Sequence, residues 1–129
     1  LSLGMVRHAQ HIERYLSTYF SPNTHLTGEA LGLYTVGSVV EHHEEATRWR
    51  ELGSRILDDA VRWQVRSDGT YFEQATQYHR YTAEIYLHYV ILAEAAGRDI
   101  GPEVRPAVCK LFEVLRSLAD ARGCIPPIG

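Results

Sequence analysis

Cysteine and strand-like alternation are both scarce in this chain of 129 residues. Two cysteines, Cys109 and Cys124, cannot make a disulfide framework, and their spacing fits no zinc site. Cys109 falls at an apolar helical position and is expected to be a buried thiol. No run of about 18 apolar residues exists, so no membrane span is expected. There is no surplus of positive charge: 13 Lys and Arg against 16 Asp and Glu leave −3, which disfavours a nucleic-acid binder. Apolar residues alternate nowhere for long, and Tyr71-Phe72 is too short for a strand. A Gly-rich phosphate loop, a nucleophile elbow and a repeat of about 20–50 residues are also missing. No cofactor is expected. Residues 1–20 carry His8, His11, Glu13 and Arg14, unlike a secretory signal. The chain opens on Leu1 and closes on Cys124-Ile125-Pro126-Pro127-Ile128-Gly129, which reads as the middle of a loop. The expectation is one all-α domain over 1–129, cut from a longer protein, with its compartment left open.

What is abundant is helical periodicity. Met5, Ala9, Ile12, Leu16 and Tyr19 step by three or four and predict a helix over about 5–20, ended by Ser21-Pro22-Asn23. A second helix over about 26–40 is apolar nearly all round, with Gly28, Gly32 and Gly37 allowing close neighbours. A third, over about 42–66, carries a stripe of Trp49, Leu52, Ile56, Ala60 and Trp63 among charged residues. Ser67-Asp68-Gly69 predicts a turn. A fourth helix over about 74–97 is again apolar all round, with His88 read as a core histidine. A fifth, over about 102–122, shows Val104, Val108, Leu111, Leu115 and Leu118 on one face.

Wet and dry helices therefore alternate. Two layers with the even-numbered helices inside explain this, as in a ring of helical hairpins. A small orthogonal bundle explains it equally well. Consecutive helices on short loops run antiparallel, so the loops 1→2, 3→4 and the segment after the fifth helix should share one end. That end holds Asn23-Thr24-His25 and the cluster Gln74 to Tyr81, at the N-termini of the two buried helices, where anions are attracted. Asn and protonated His can hydrogen-bond a carboxylate and acidify the carbon beside it. A tyrosine, with an ordinary pKa of about 10, needs positive neighbours such as His79 and Arg80 to act as a base. Capping by His25 and core packing by Tyr78 or Tyr81 are the plain readings of the same residues.

The segment Ser21-Pro22-Asn23-Thr24-His25-Leu26-Thr27-Gly28-Glu29-Ala30-Leu31-Gly32-Leu33-Tyr34 resembles the Asn/His motif of heparinase II/III-like polysaccharide lyases, relatives of alginate lyases. Asp68-Gly69-Thr70-Tyr71-Phe72-Glu73-Gln74-Ala75-Thr76-Gln77-Tyr78-His79-Arg80-Tyr81 resembles their tyrosine motif. Trp49, Gly53 and Leu57 match the linking helix, and the resemblance covers about residues 15–97. It implies part of an incomplete (α/α) toroid, followed in the whole protein by β-sheet domains. It implies β-elimination on an acidic, uronic-acid polysaccharide, with Asn23 and His25 neutralising the carboxylate. Tyr78 takes the role of base or acid, and Tyr81 is the alternative. Thr24 stands between Asn23 and His25 where relatives often have the two adjacent, so Glu29 is expected to share the neutralising role. Glu29, Gln77, His79 and Arg80 are the expected substrate contacts. A further catalytic histidine, which the family draws from beyond the toroid, would lie outside this chain, leaving it inactive alone.

Other groupings carry less. His42-His43-Glu44-Glu45 cannot chelate together on a helix and reads as the start of a solvated one. His8 and His11 share a face without a third ligand, and Asp58-Asp59 has no second acidic motif; no metal site is expected. Glu29 and Glu73 would be the two carboxylates of a glycoside hydrolase on a helical toroid. A helical carbohydrate-binding or assembly module without chemistry is the non-enzyme alternative. Buried-type helices lacking some neighbours should also make the piece self-associate.

Overall fold

The structure, a computed structural model, describes residues 2–129. It is all-α: α1 (Ser2–Arg14), α2 (Thr24–Val39), α3 (Ala46–Gln64), α4 (Thr76–Ala95) and α5 (Val104–Leu118). Among the described residues, β pairing is limited to an antiparallel bridge between Val65 and Tyr71, which closes the turn predicted at Ser67-Asp68-Gly69. Gly69 takes φ +86° there, and the Asp68 carboxylate accepts from the Thr70 N–H at 2.9 Å and hydroxyl at 2.7 Å.

Helix α2 is the centre, packed against α1, α3 and α4. Its crossing with antiparallel α3 brings the two backbones together. A Cβ on Gly53 would lie 2.4 Å from the Ala30 carbonyl oxygen, and one on Gly37 would lie 2.4 Å from that of Ala46. Helix α4 runs parallel to α2. The Cβ position of Gly28 lies 3.9 Å from Ile85 Cδ1, and farther along both helices the Tyr34 and Tyr89 rings meet edge to face at 4.8 Å. The main core gathers Tyr34, Leu57, Val61, Tyr71, Tyr86 and Tyr89 with the α5 stripe Val104, Val108, Leu111 and Leu115. Buried phenols need partners. Tyr86 donates to the Leu57 carbonyl at 3.3 Å, and Tyr89 donates to Asp58 at 3.1 Å. A smaller core joins Ala9, Leu33, Val36 and Trp49, and the Trp49 indole donates to Glu13 at 3.0 Å. Inner α2 and α4 between outer α1, α3 and α5 give the two-layered hairpins of a toroid.

Several local expectations are corrected. Helix α1 ends at Arg14, not near residue 20. Glu29 pulls the chain out of helix by accepting from the Ser17 N–H at 2.7 Å and hydroxyl at 2.6 Å. Tyr19 and Phe20 project outward, and Phe20 takes φ +64°. His42 and His43 form a turn before α3 rather than its start; His43 stacks on Trp49 at 5.2 Å and accepts from the Glu45 N–H. The buried stripe of α3 runs through Trp49, Gly53, Leu57, Ala60 and Gln64, leaving Trp63 exposed. Cys109 is exposed because α5 turns Val108 and Leu111 to the core and Cys109 away. His88 is exposed, on the side of α4 away from the buried Tyr86 and Tyr89.

Candidate active site

The connection 15–23, the connection 65–75 and the segment after α5 meet at one end. Gln64, fully buried in the last turn of α3, reaches the carbonyls of Pro22 and Asn23 at 3.4 and 3.5 Å. The Thr76 N–H donates to the Ile128 carbonyl at 3.0 Å, and its hydroxyl donates to that of Pro126 at 2.8 Å. This end holds the first turns of both inner helices.

Pro22 and the non-helical backbone of Asn23 stop the chain before α2, and the Asn23 side chain then caps the helix. Its Oδ1 accepts from the His25 backbone N–H at 3.0 Å. Only the oxygen can accept, so Oδ1 is the amide atom on the His25 side. The same Oδ1 lies 2.9 Å from His25 Nδ1, so Nδ1 must carry the proton. His25 is exposed, and its Nε2 is left facing out of this bonded group. The residue between Asn23 and His25 does not separate them: Thr24 turns inward and is buried. The Asn23 Nδ2 donates to Glu73 Oε1 at 3.4 Å, joining the two sequence segments across fifty positions.

Beneath Asn23 lies a buried polar layer. The Tyr71 hydroxyl faces Thr82 of α4, Glu73 and the Thr24 backbone, none aligned closely enough for a full hydrogen bond. Burial, with Glu73 adding to it, holds the Tyr71 phenol far above its ordinary pKa, so it stays neutral. Gln64 Oε1, Tyr71 Oη, Glu73 Oε2 and Thr82 Oγ1 are all buried without a partner in the chain.

Tyr78 and Tyr81 are 45% and 49% exposed. On a helix they lie within about 20° and 40° of the Ile85 stripe that meets Gly28 of α2. Going back from Gly28 and Ile85 along parallel helices, His25 falls level with Tyr81 and Thr82, and Tyr78 stands about one turn further out. The helical period thus sets both tyrosines toward the α2 side of α4, in its first two turns.

Other expected contacts are not brought to that group. His79 is 5% exposed and faces α5: Nδ1 accepts from the Tyr71 N–H at 3.3 Å, and Nε2 donates to the Leu111 carbonyl at 2.9 Å. Both ring nitrogens serve the fold, and the expected substrate contact is corrected to a structural one. Both Glu29 oxygens are taken by Ser17, so Glu29 clamps the loop instead of sharing the neutralising role. Arg80 lies about 140° round α4 from Ile85 and pairs with Glu84 at 3.6 Å. Gln77 is exposed at the side of the first turn. Sequence reasoning missed Gln64, Tyr71 and the Glu73–Asn23 link. The signal available was position: Gln64 ends the apolar stripe of α3, and Tyr71 and Glu73 lie inside the tyrosine motif.

Residues 2–105 match the family described as Heparinase II/III N-terminus. The chain belongs to this family. It is similar to a heparin-sulfate lyase of Bacteroides stercoris, 28% identical over 93 residues, which are 72% of this chain and 14% of that protein. A heparin-sulfate lyase of Bacteroides thetaiotaomicron is 31% identical over 77 residues, 60% of this chain and 11% of that protein. The heparinase III crystal structure superposes with a TM-score of 0.81 at 25% identity, over 88% of this chain and 17% of that one. A heparan sulfate lyase from Pedobacter heparinus shares the fold, with a TM-score of 0.74 at 21% identity over 92% of this chain and 18% of that one. The chain thus spans less than a fifth of the length of these relatives. Its five helices match part of the helical toroid of that heparinase III structure.

Proposed function

We propose that this chain is the N-terminal helical portion of a polysaccharide lyase that cleaves heparin- or heparan-sulfate-type polymers by β-elimination. The observation that carries the reading is the Asn23–His25 pair at the start of α2; the half-exposed tyrosines in the first turns of parallel α4 support it. The free N–H of Asn23 and a protonated His25 Nε2 hydrogen-bond the uronate carboxylate. This stabilises the charge that develops when the C5 proton leaves. Tyr78 removes that proton, with Tyr81 the alternative. The C5–H electrons form the C4–C5 double bond, the C4–O bond breaks, and the leaving oxygen takes a proton from an acid. Similarity to heparin-sulfate lyases supports the substrate class. Glu29 and Glu73 do not favour the hydrolase alternative, because Glu29 is held by Ser17 and Glu73 by Asn23.

The test incubates the full-length protein with heparan sulfate, alginate and hyaluronan. The expected result is new ultraviolet absorbance of unsaturated uronate with heparan sulfate. Binding without product on all three polymers points to the non-catalytic module instead. The 129-residue piece alone is expected to be inactive and to self-associate through the exposed Leu3, Val39 and Ile91. A monomer at high concentration in sedimentation overturns the association.

A further inference from the structure

Glu73 is a carboxylate next to Asn23 that the lyase chemistry leaves without a task. It sits next to groups that would receive an anionic sugar. Its Oε2 is buried and its Oε1 accepts from the Asn23 amide at 3.4 Å. Asn23 in turn is bonded on its other side to both the backbone N–H and the ring of His25. The amide thus has three restraints, and two of them have a direction of their own. Glu73 can only accept from Nδ2 when ionised, and the His25 backbone N–H can only donate to Oδ1. Turning the amide over would set Oδ1 against the Glu73 carboxylate and Nδ2 against a backbone donor. With the amide held, Nδ1 of His25 keeps its proton, so the second proton of the charged ring sits on Nε2 and is the one that meets a ligand carboxylate.

We infer that Glu73 is a positioning residue: through the Asn23 amide it fixes the proton of His25 on Nδ1 and aims the second Asn23 N–H at the incoming carboxylate. The Tyr71 hydroxyl lies beside Glu73 on the inner side, and the Glu73 Oε2 atom is buried there. The same geometry explains why a single residue can stand between Asn23 and His25. Their alignment is set by the helix cap and by Glu73, not by adjacency in the chain. The inference deepens the lyase reading, and its activity arm rests on that reading; its spectroscopic arm does not.

The experiment compares Glu73→Met, which fills similar volume with no oxygen acceptor, with Glu73→Gln, which keeps one. Both are made in the full-length protein with 15N-labelled histidine, and His25→Ala identifies the His25 signals. In the unmodified protein the neutral His25 ring is expected to be protonated at Nδ1. Glu73→Met is expected to move the proton toward Nε2 and to lower kcat on heparan sulfate roughly tenfold or more, as misplacement of an oriented group does. KM is expected to change much less, and Glu73→Gln restores both the tautomer and most of the turnover. A His25 ring that stays protonated at Nδ1 in a folded Glu73→Met protein overturns the inference. Failure of Glu73→Gln to restore the tautomer overturns it as well. If the tautomer responds to Glu73 while the unmodified protein cleaves no uronic polymer, the lyase reading fails and the positioning role stands.

Discussion

The two halves of α2 are built from opposite materials. From Ala30 to Gly37 the helix meets α3 through bare backbone, with Gly37 and Gly53 admitting contacts that any side chain would block. From Asn23 to Thr27 it meets polar side chains from three separate segments, four of whose buried atoms lack a full partner. The first region is set by close packing and has one solution. The second holds polar groups in place by directed bonds at the cost of incomplete satisfaction, which is the pattern expected where groups are kept ready for a ligand. Rigidity at the crossing is what allows the polar end to be held at all, since α2 carries both.

Five substitutions can break or sharpen this contrast. The largest effect is expected from Tyr78→Phe in the full-length protein. It removes one half-exposed hydroxyl, so kcat on heparan sulfate should fall by about 10²–10⁴ while polymer binding and Tm are retained. Retained turnover moves the role to Tyr81. Next comes Gly53→Val at the crossing. Overpacking against the Tyr34 backbone should destabilise the chain by about 3 kcal/mol in denaturant unfolding, and a neutral result would mean that α2 and α3 can separate freely.

A paired comparison of two histidines follows. His79→Ala leaves the Leu111 carbonyl and the Tyr71 N–H unpartnered in the core and should cost about 2 kcal/mol. His25→Ala should change stability by less than about 0.5 kcal/mol, because the exposed ring supports no core contact. Equal losses would erase the distinction between the structural and the ligand-facing imidazole. The smallest effect belongs to Asp68, fully exposed, whose carboxyl is held below its ordinary 3.8 by bonds from the Thr70 N–H and hydroxyl. A depressed pKa stabilises the folded state above pH 3.8 and loses that contribution as pH falls through the folded value. The Tm of Asp68→Asn should therefore lie slightly below that of the unmodified chain at pH 7 and converge with it in acid. A gap that widens in acid contradicts the assignment.

Much of the architecture is legible in the sequence. Apolar spacing located five helices because a 3.6-residue period needs only local information. All-round apolarity marked α2 and α4 as inner helices for the same reason. Helix ends were less legible. Leu16 and Tyr19 continue the α1 spacing, yet a carboxylate from α2 holds Ser17 and ends the helix, an event that depends on a residue twelve positions away. Cys109 and His88 show the complementary limit: an apolar neighbourhood in sequence does not say which side of a helix its partners will cover.

At the candidate site, residue types and motif spacing singled out Asn23, His25, Tyr78 and Tyr81. Their chemistry is a property of the side chains and can be read from the letters alone. The tasks of His79, Glu29 and Glu73 could not be read that way. A histidine, a glutamate and a second glutamate offer the same atoms to a substrate or to the protein, and the choice is made by what stands within hydrogen-bond reach after folding. Leu111 takes His79, Ser17 takes Glu29, and Asn23 takes Glu73. The sequence by itself determined the helices, their wet and dry faces, and the groups able to handle a carboxylate, because these follow from local spacing and intrinsic chemistry. Only the tertiary structure decided which polar groups remain available, because hydrogen bonds between residues up to fifty positions apart exist only once α2, α4 and the turn between α3 and α4 have come together.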